Sequence, residues 1–312
     1  MLKYIAVRIM WVVLIFFTFM SIFYIIVRLI VIYDYSFLYE HLSFIEKITP
    51  IVKDYFAWLI RVITKWDWGL STKIKLNTPV FDLITPRLPV TIKVNLIAYL
   101  LYVPIGLILG TISALNKNKF FDNFFSIMIM VMSSLPSFVF IFLLMLVFGY
   151  YLNWFPTQFP PKISNGWFHI KALILPVIAI SVEPIANFSR LFRGELTEST
   201  LSEYMLLAKT KGLSTKQAIF RHGFRVSLVP VVPTIIFSFV SILAGSFIIK
   251  IIYSIPGMGN LYYEAIINRD YNLIMAITSI YTIIMLVASI IVDLSYALID
   301  PRIRIGMKKT KS

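Results

Sequence analysis

Apolar residues run through this chain in six long blocks, roughly Ile9–Ile32, Ile92–Leu115, Phe124–Tyr151, Ala172–Leu191, Ser227–Ile249 and Leu273–Ile299. Each reaches the 20 or so residues that a helix needs to cross the hydrocarbon of a bilayer, so each predicts a spanning helix. Several contain Pro or Gly: Pro104 with Gly106, Pro136, Pro184, Pro230 with Pro233, and Gly245. Membrane helices tolerate such residues where neighbours re-satisfy the backbone, and they often mark kinks. The first block follows Lys3 and Arg8 but is too long for a signal-peptide core, and no small-residue cleavage site follows it. It reads as an uncleaved span.

Two polar intervals break the apolar pattern. Glu203 to Arg225 is a basic island between the fourth and fifth blocks. Glu203 to Thr210 predicts about two helical turns, and Gly212 suits a helix C-cap. Ser214 suits the N-cap of a second short helix, Thr215 through Phe220. The expected product is a compact knob beneath the membrane. It is either a surface helix pair meeting anionic lipid or a handle for a separate motor. The other interval holds Ile51, Tyr55, Leu59, Val62 and Trp66 three or four apart, with Lys53, Asp54, Arg61 and Lys65 elsewhere. That spacing predicts an amphipathic helix from Pro50 to Trp66, with Trp58, Trp66 and Trp68 suited to the interface. It reads first as a helix lying on the bilayer and second as a docking surface for an extracellular partner.

Composition agrees with the blocks. Of 312 residues, 59% are hydrophobic and only 14% charged, against about a quarter charged in soluble domains. The predicted fold is an all-α polytopic membrane protein. Residues 1–90 would form the first span and the outer loop. Residues 91–312 would form a five-helix core with its coupling loop at 195–225. The net charge of +14 is explained by loops that the positive-inside rule places in the cytoplasm. These carry Lys3 and Arg8, Lys117 and Lys119, the cations from Arg190 to Arg225, and the basic tail from Arg302. The short outer loops carry few cations, such as Lys162 in one and Arg269 in another. Both termini are therefore expected inside, and no soluble basic domain exists to bind nucleic acid.

Several chemistries lack support. There is no Cys, and His41, His169 and His222 are too scattered for a metal site. No Gly is followed by Lys, so no P-loop exists. No hydrolase or protease motif occurs.

The run Glu203 to Pro230 resembles the cytoplasmic coupling motif of ABC-importer permease subunits, in the branch that imports dipeptides and oligopeptides and whose relatives move nickel. Leu206-Leu207-Ala208 stands where the general motif has Glu-Ala-Ala, with Gly212 correctly spaced and the Glu absent. Lys211-Gly212-Leu213-Ser214, Arg221-His222, Arg225 and Leu228-Val229-Pro230 resemble the peptide branch. So do Trp66-Asp67-Trp68-Gly69-Leu70-Ser71, Pro79-Val80, Arg87-Leu88-Pro89-Val90-Thr91, Ser254 to Gly259, Asn268-Arg269-Asp270-Tyr271, and Asp293 with Tyr296 to Arg304. The chain departs from the family at Tyr33-Asp34-Tyr35, where a Pro-Gly-Asp-Pro corner is usual.

The resemblance implies a type I importer fold in a bacterial cytoplasmic membrane, with no enzyme activity and no cofactor on this chain. ATP and Mg would sit on two partner ATPases. A second homologous permease and an extracellular substrate-binding protein would complete the assembly, surrounded by membrane lipid. Glu203, Tyr204, Leu207, Ala208, Lys211, Gly212 and Leu213 would meet an ATPase. Trp66, Asp67, Pro256, Gly257, Gly259, Arg269 and Asp270 would lie at the outer gate or the receptor dock. Adjacent in sequence, Arg269 and Asp270 could form a local ion pair, worth little if exposed.

Glu183 lies inside the fourth block, where a carboxylate is costly and marks a functional candidate. Ser133, Ser134, Ser238, Ser241 and Ser246 either line the pathway with it or allow close helix packing. Arg28 reads as snorkelling to the outer interface. An ion-coupled secondary transporter, a structural membrane subunit and a nickel or metal-chelate permease are the rival readings.

Overall fold

The computed structural model describes residues 2–34, 43–160, 166–243 and 247–299. In chain order its helices are α1 (Leu2–Asp34), α2 (Phe44–Lys65), α3 (Val80–Ile84), α4 (Leu88–Leu115), α5 (Phe120–Ser134), α6 (Ser137–Leu144) and α7 (Gly166–Thr200). They continue with α8 (Glu203–Thr210), α9 (Thr215–Ala218), α10 (Phe224–Leu228), α11 (Val232–Val240), α12 (Phe247–Ile252), α13 (Met258–Ile267) and α14 (Tyr271–Ile299). The strands β1 (Leu70–Ser71) and β2 (Thr78–Pro79) pair antiparallel and add one tiny hairpin to a helical protein.

Among the described residues, four helical stretches are long and apolar enough to cross a membrane, and two bent pairs raise the total to six. The bends fall at prolines. Leu135 is extended ahead of Pro136, and α5 meets the next helix at 101°, because a proline ring excludes the residue before it from the helical region. The segment through Pro230 bends by 53°. Pro104, Pro176 and Pro184 instead lie inside continuous helices. The block expected to end at Leu191 runs on to Thr200, so one helix reaches from the membrane to the basic island.

The chain divides into two compact units, residues 1–89 with 257–290, and residues 90–256 with 291–312. In the first unit, Ser43 begins α2, its N–H donating to Glu46 Oε2 at 2.7 Å. Ile51, Trp58 and Val62 share a buried core with Met20, Tyr24 and Val27 of α1. The Tyr24 ring lies 5.3 Å from that of Tyr55 and 5.5 Å from that of Trp58. Protein therefore covers this face of α2, while Val52, Phe56, Ile60 and Ile63 leave a second apolar face exposed. Trp58 and Trp68 are buried for the same reason. Trp66 alone of the three stays exposed, in the left-handed conformation that ends the helix. Arg28 is not merely snorkelling. Its Nε donates to Tyr24 Oη at 3.1 Å, and its guanidinium lies over that ring.

In the second unit α7 is the central element, with 67% of its most apolar stretch buried. Gly106 and Gly110 let α4 approach it. A Cβ on Gly106 would stand 2.6 Å from Phe188 Cβ, and one on Gly110 would stand 2.8 Å from the Ser189 carbonyl oxygen. This Gly-x-x-x-Gly spacing allows close backbone contact between membrane helices. Asp122, at the start of α5, is buried and receives Arg193 Nε at 2.6 Å and a second guanidinium nitrogen at 2.7 Å. That fork ties α5 to α7.

Candidate functional site

The basic island folds into the expected knob. Helix α8 covers Glu203–Thr210. Gly212 turns the chain at φ +89°, a left-handed conformation that side chains with a Cβ resist. Ser214 caps α9, accepting from the Gln217 N–H while the Gln217 amide oxygen accepts from the Ser214 N–H. The second helix does not stop at Phe220. A π turn, Ile219–Gly223, leads from α9 into α10.

One face of the knob is seated on the end of α7. Met205, Ala208, Ala218 and Ile219 are buried in the same core as Leu196. Ser227 Oγ donates to the Glu195 carbonyl at 3.2 Å, and Ser199 Oγ to the Gly223 carbonyl at 3.3 Å. The hydroxyls of Ser199 and Tyr204 meet at 2.5 Å. Gly223 lies against this contact, where a Cβ would stand 3.3 Å from Ser199 Oγ. The opposite face is open and greasy: Leu206 is 66% exposed, Leu207 57% and Phe220 58%, beside Lys209 and Lys211. An exposed apolar patch rimmed by cations marks an interaction surface.

Helix α7 also leaves one stripe open. Glu183, Asn187, Arg190 and Gly194 are all exposed on it, at the three- and four-residue spacing of a single helix face. Ser133 joins them, because a guanidinium nitrogen of Arg190 donates to Ser133 Oγ at 2.9 Å. Ser134, exposed beside it, donates to the Met130 carbonyl at 2.7 Å. Ser238 and Ser241 are half-buried, the former meeting the Tyr102 hydroxyl. Ser246 lies outside the described residues.

The segments around Asp67 and Asp270 meet. Asp270 Oδ2 accepts from Ser71 Oγ at 2.5 Å and from the backbone N–H groups of Thr72, Lys73 and Ile74 at 3.1–3.3 Å. Asn272 Nδ2 donates to the Leu70 carbonyl at 2.9 Å. Gly69, at φ +94°, is held by Asp67, whose carboxylate accepts its N–H at 2.9 Å. Asp270 is 0% exposed. The carboxylate is a buried clamp on the hairpin, so Asp270 itself cannot touch a receptor directly. Gly257 and Gly259 are likewise buried, at the start of α13, whereas Trp66 and Arg269 remain open. Replacing Asp270 with Ala would strand a hydroxyl and three N–H donors. A loss of about 3 kcal/mol is expected, read as a lower unfolding temperature in detergent, with Asp270→Asn retaining part of the stability.

Comparison with known proteins adds a family to this geometry. Residues 106–305 match the family model for the binding-protein-dependent transport system inner membrane component. The chain belongs to this family. A relative named as the oligopeptide transport system permease protein OppB of Haemophilus influenzae is 37% identical over 257 residues, 82% of this chain and 81% of the relative. The dipeptide transport system permease proteins DppB of Lactococcus lactis and Bacillus subtilis are each 36% identical, over 82% and 83% of this chain and 82% and 81% of theirs. A crystal structure of an amino acid ABC transporter with histidines superposes with a TM-score of 0.51 at 18% identity, covering 70% of this chain and 94% of that one. It supports the fold alone.

In this inner membrane component, Glu203, Tyr204, Leu207, Lys211 and Gly212 stand on the open surface of the knob. Leu213 is half-buried, and Ala208 lies beneath as packing. Leu206 and Phe220 are exposed on the knob as well, though neither is among the residues expected to meet an ATPase; their signal in the sequence is apolar character inside a basic island. Sequence reasoning passed over Lys250, which follows the fifth apolar block directly and reads as an ordinary end-of-span cation. The structure buries it to 1% exposure, with no hydrogen-bond partner for Nζ among the described residues. Such burial is costly.

Proposed function

We propose that this chain is the permease subunit of an ATP-driven importer of dipeptides or oligopeptides. It supplies half of a translocation pathway and transmits work from cytoplasmic ATPases. The observation that carries this reading is the knob: an apolar, cation-rimmed surface seated by core packing and hydrogen bonds on the end of the helix that bears the polar stripe. From Glu183 to Thr200 that helix spans about 25 Å. A push on the knob therefore reaches the stripe through one rigid element, the kind of differential contact a two-state transporter requires.

In this reading, ATP and Mg belong to two partner ATPases, one on each permease, and a second homologous permease completes the pathway. An outer receptor delivers substrate, and both termini face the cytoplasm. The names of the relatives support peptides over nickel or metal chelates. Purification of the tagged chain in mild detergent from its native membrane tests the assembly. A second permease and P-loop ATPases are expected to co-purify. Recovery of this chain alone, monodisperse and intact, would instead favour an ion-coupled carrier built around Glu183.

A further inference from the structure

The open stripe of α7 has a composition that lipid would not tolerate. On one face of the protein's most buried span stand Glu183, Asn187 and Arg190, all exposed, with Glu183 near its middle and Arg190 toward the end that joins the basic island. Charged groups on such a span face water, a polar solute or protein. Neither Glu183 nor Asn187 has a hydrogen-bond partner among the described residues. Arg190 gives one N–H to Ser133 Oγ, and a guanidinium carries five donors, so most of its capacity is unused. A Cβ at Gly194 would meet nothing within 4 Å, so the stripe stays open beyond Arg190.

We propose that this stripe reads both ends of a short zwitterionic peptide. Glu183 takes the N-terminal ammonium, Arg190 takes the C-terminal carboxylate, and Asn187 hydrogen-bonds the peptide backbone between them. The proposal rests on the peptide-importer reading above and deepens it. Its first support is charge order: one anion and one cation, seven residues apart on one face, complement a zwitterion. Its second is length. Seven helical residues advance about 10 Å, and an extended chain spans at most about 3.3–3.6 Å per residue. A tripeptide therefore matches the separation directly, and a dipeptide matches it when the long Glu and Arg side chains lean inward. A longer peptide engages one end at a time. With the N-terminus of the chain inside, α7 runs inward, so the peptide travels carboxylate first.

The test uses the complete permease–ATPase complex in nanodiscs without the receptor, so that receptor selectivity plays no part. Saturation-transfer NMR measures the apparent affinity of trialanine, N-acetyl-trialanine and trialanine amide. One charge-assisted hydrogen bond should make free trialanine bind about tenfold more tightly than either capped form. Glu183→Gln should erase the discrimination against the acetylated peptide and keep that against the amide. Arg190→Gln should do the reverse. The proposal is overturned if the wild type binds all three alike, or if both variants keep both discriminations. It is equally overturned if Glu183→Gln instead dissociates the two permeases, because the carboxylate then serves the subunit interface. A receptor-driven uptake assay on the same wild-type complex separates these failures from failure of the importer reading, which would show as no peptide uptake at all.

Discussion

Gly212→Val is expected to lower peptide uptake at least about tenfold in reconstituted vesicles while leaving expression and membrane insertion unchanged. The reason is backbone conformation and nothing else in this chain. A Cβ at Gly212 would touch no atom within 4 Å, yet its φ is +89°. A left-handed residue with a Cβ costs about 1–2 kcal/mol, and a β-branched one tolerates that region poorly. The turn between α8 and α9 would relax, and Leu206 and Leu207 would lose their fixed presentation. ATPase activity should become uncoupled from substrate. Gly212→Asn is the control, since Asn visits this conformation readily, and it should keep most of the uptake. Equal loss in both variants would mean that the position senses bulk at a partner surface rather than turn geometry.

Gly110→Leu should act on the opposite side of the account, abolishing the fold rather than the coupling. Its Cβ alone would stand 2.8 Å from the Ser189 carbonyl oxygen and 3.1 Å from the Arg193 nitrogen. Backbone atoms of a central helix cannot move aside as a side-chain tip can. Overpacking of this kind costs about 1–3 kcal/mol, and the remaining three carbons of Leu add to it. Loss of monodisperse protein in detergent is the expected result. Gly194→Leu is the informative comparison, because nothing lies within 4 Å of its Cβ. It should leave stability intact, and any loss of uptake would then report on the pathway.

Much of this fold is legible in the sequence because the solvent dictates it. Lipid demands apolar blocks of fixed length, and four of the six blocks coincide with continuous helices, while the segments through Pro136 and Pro230 are bent. The knob was equally legible, since Gly212 and Ser214 each impose a local geometry that needs no tertiary partner. What stayed hidden depends on contacts between distant segments. Asp270 reads as an exposed charge beside Arg269 until the hairpin from Gly69 to Ile74 closes over it. Gly106 reads as a kink beside Pro104, whereas its use is the close approach to Phe188. The amphipathic pattern of α2 identified its buried face correctly but not what covers it, because α1 and lipid are equally apolar. Trp66 leaves the buried face of α2 for a local reason: the helix ends one residue earlier, and residue 66 takes the left-handed conformation.

The central claim is that the exposed knob is held by an ATPase and is a handle, not a lipid-facing ornament. The chain contains no Cys, so Leu207→Cys creates one unique reporter on that surface. Native membranes carrying this variant would be treated with a benzophenone maleimide, irradiated, and the adducts identified by mass spectrometry. The account predicts a covalent adduct between this chain and a P-loop ATPase, with a yield that changes when ATP and vanadate trap the complex. A thiol that reacts freely with a water-soluble maleimide in intact complexes, or that yields only lipid adducts, would contradict it.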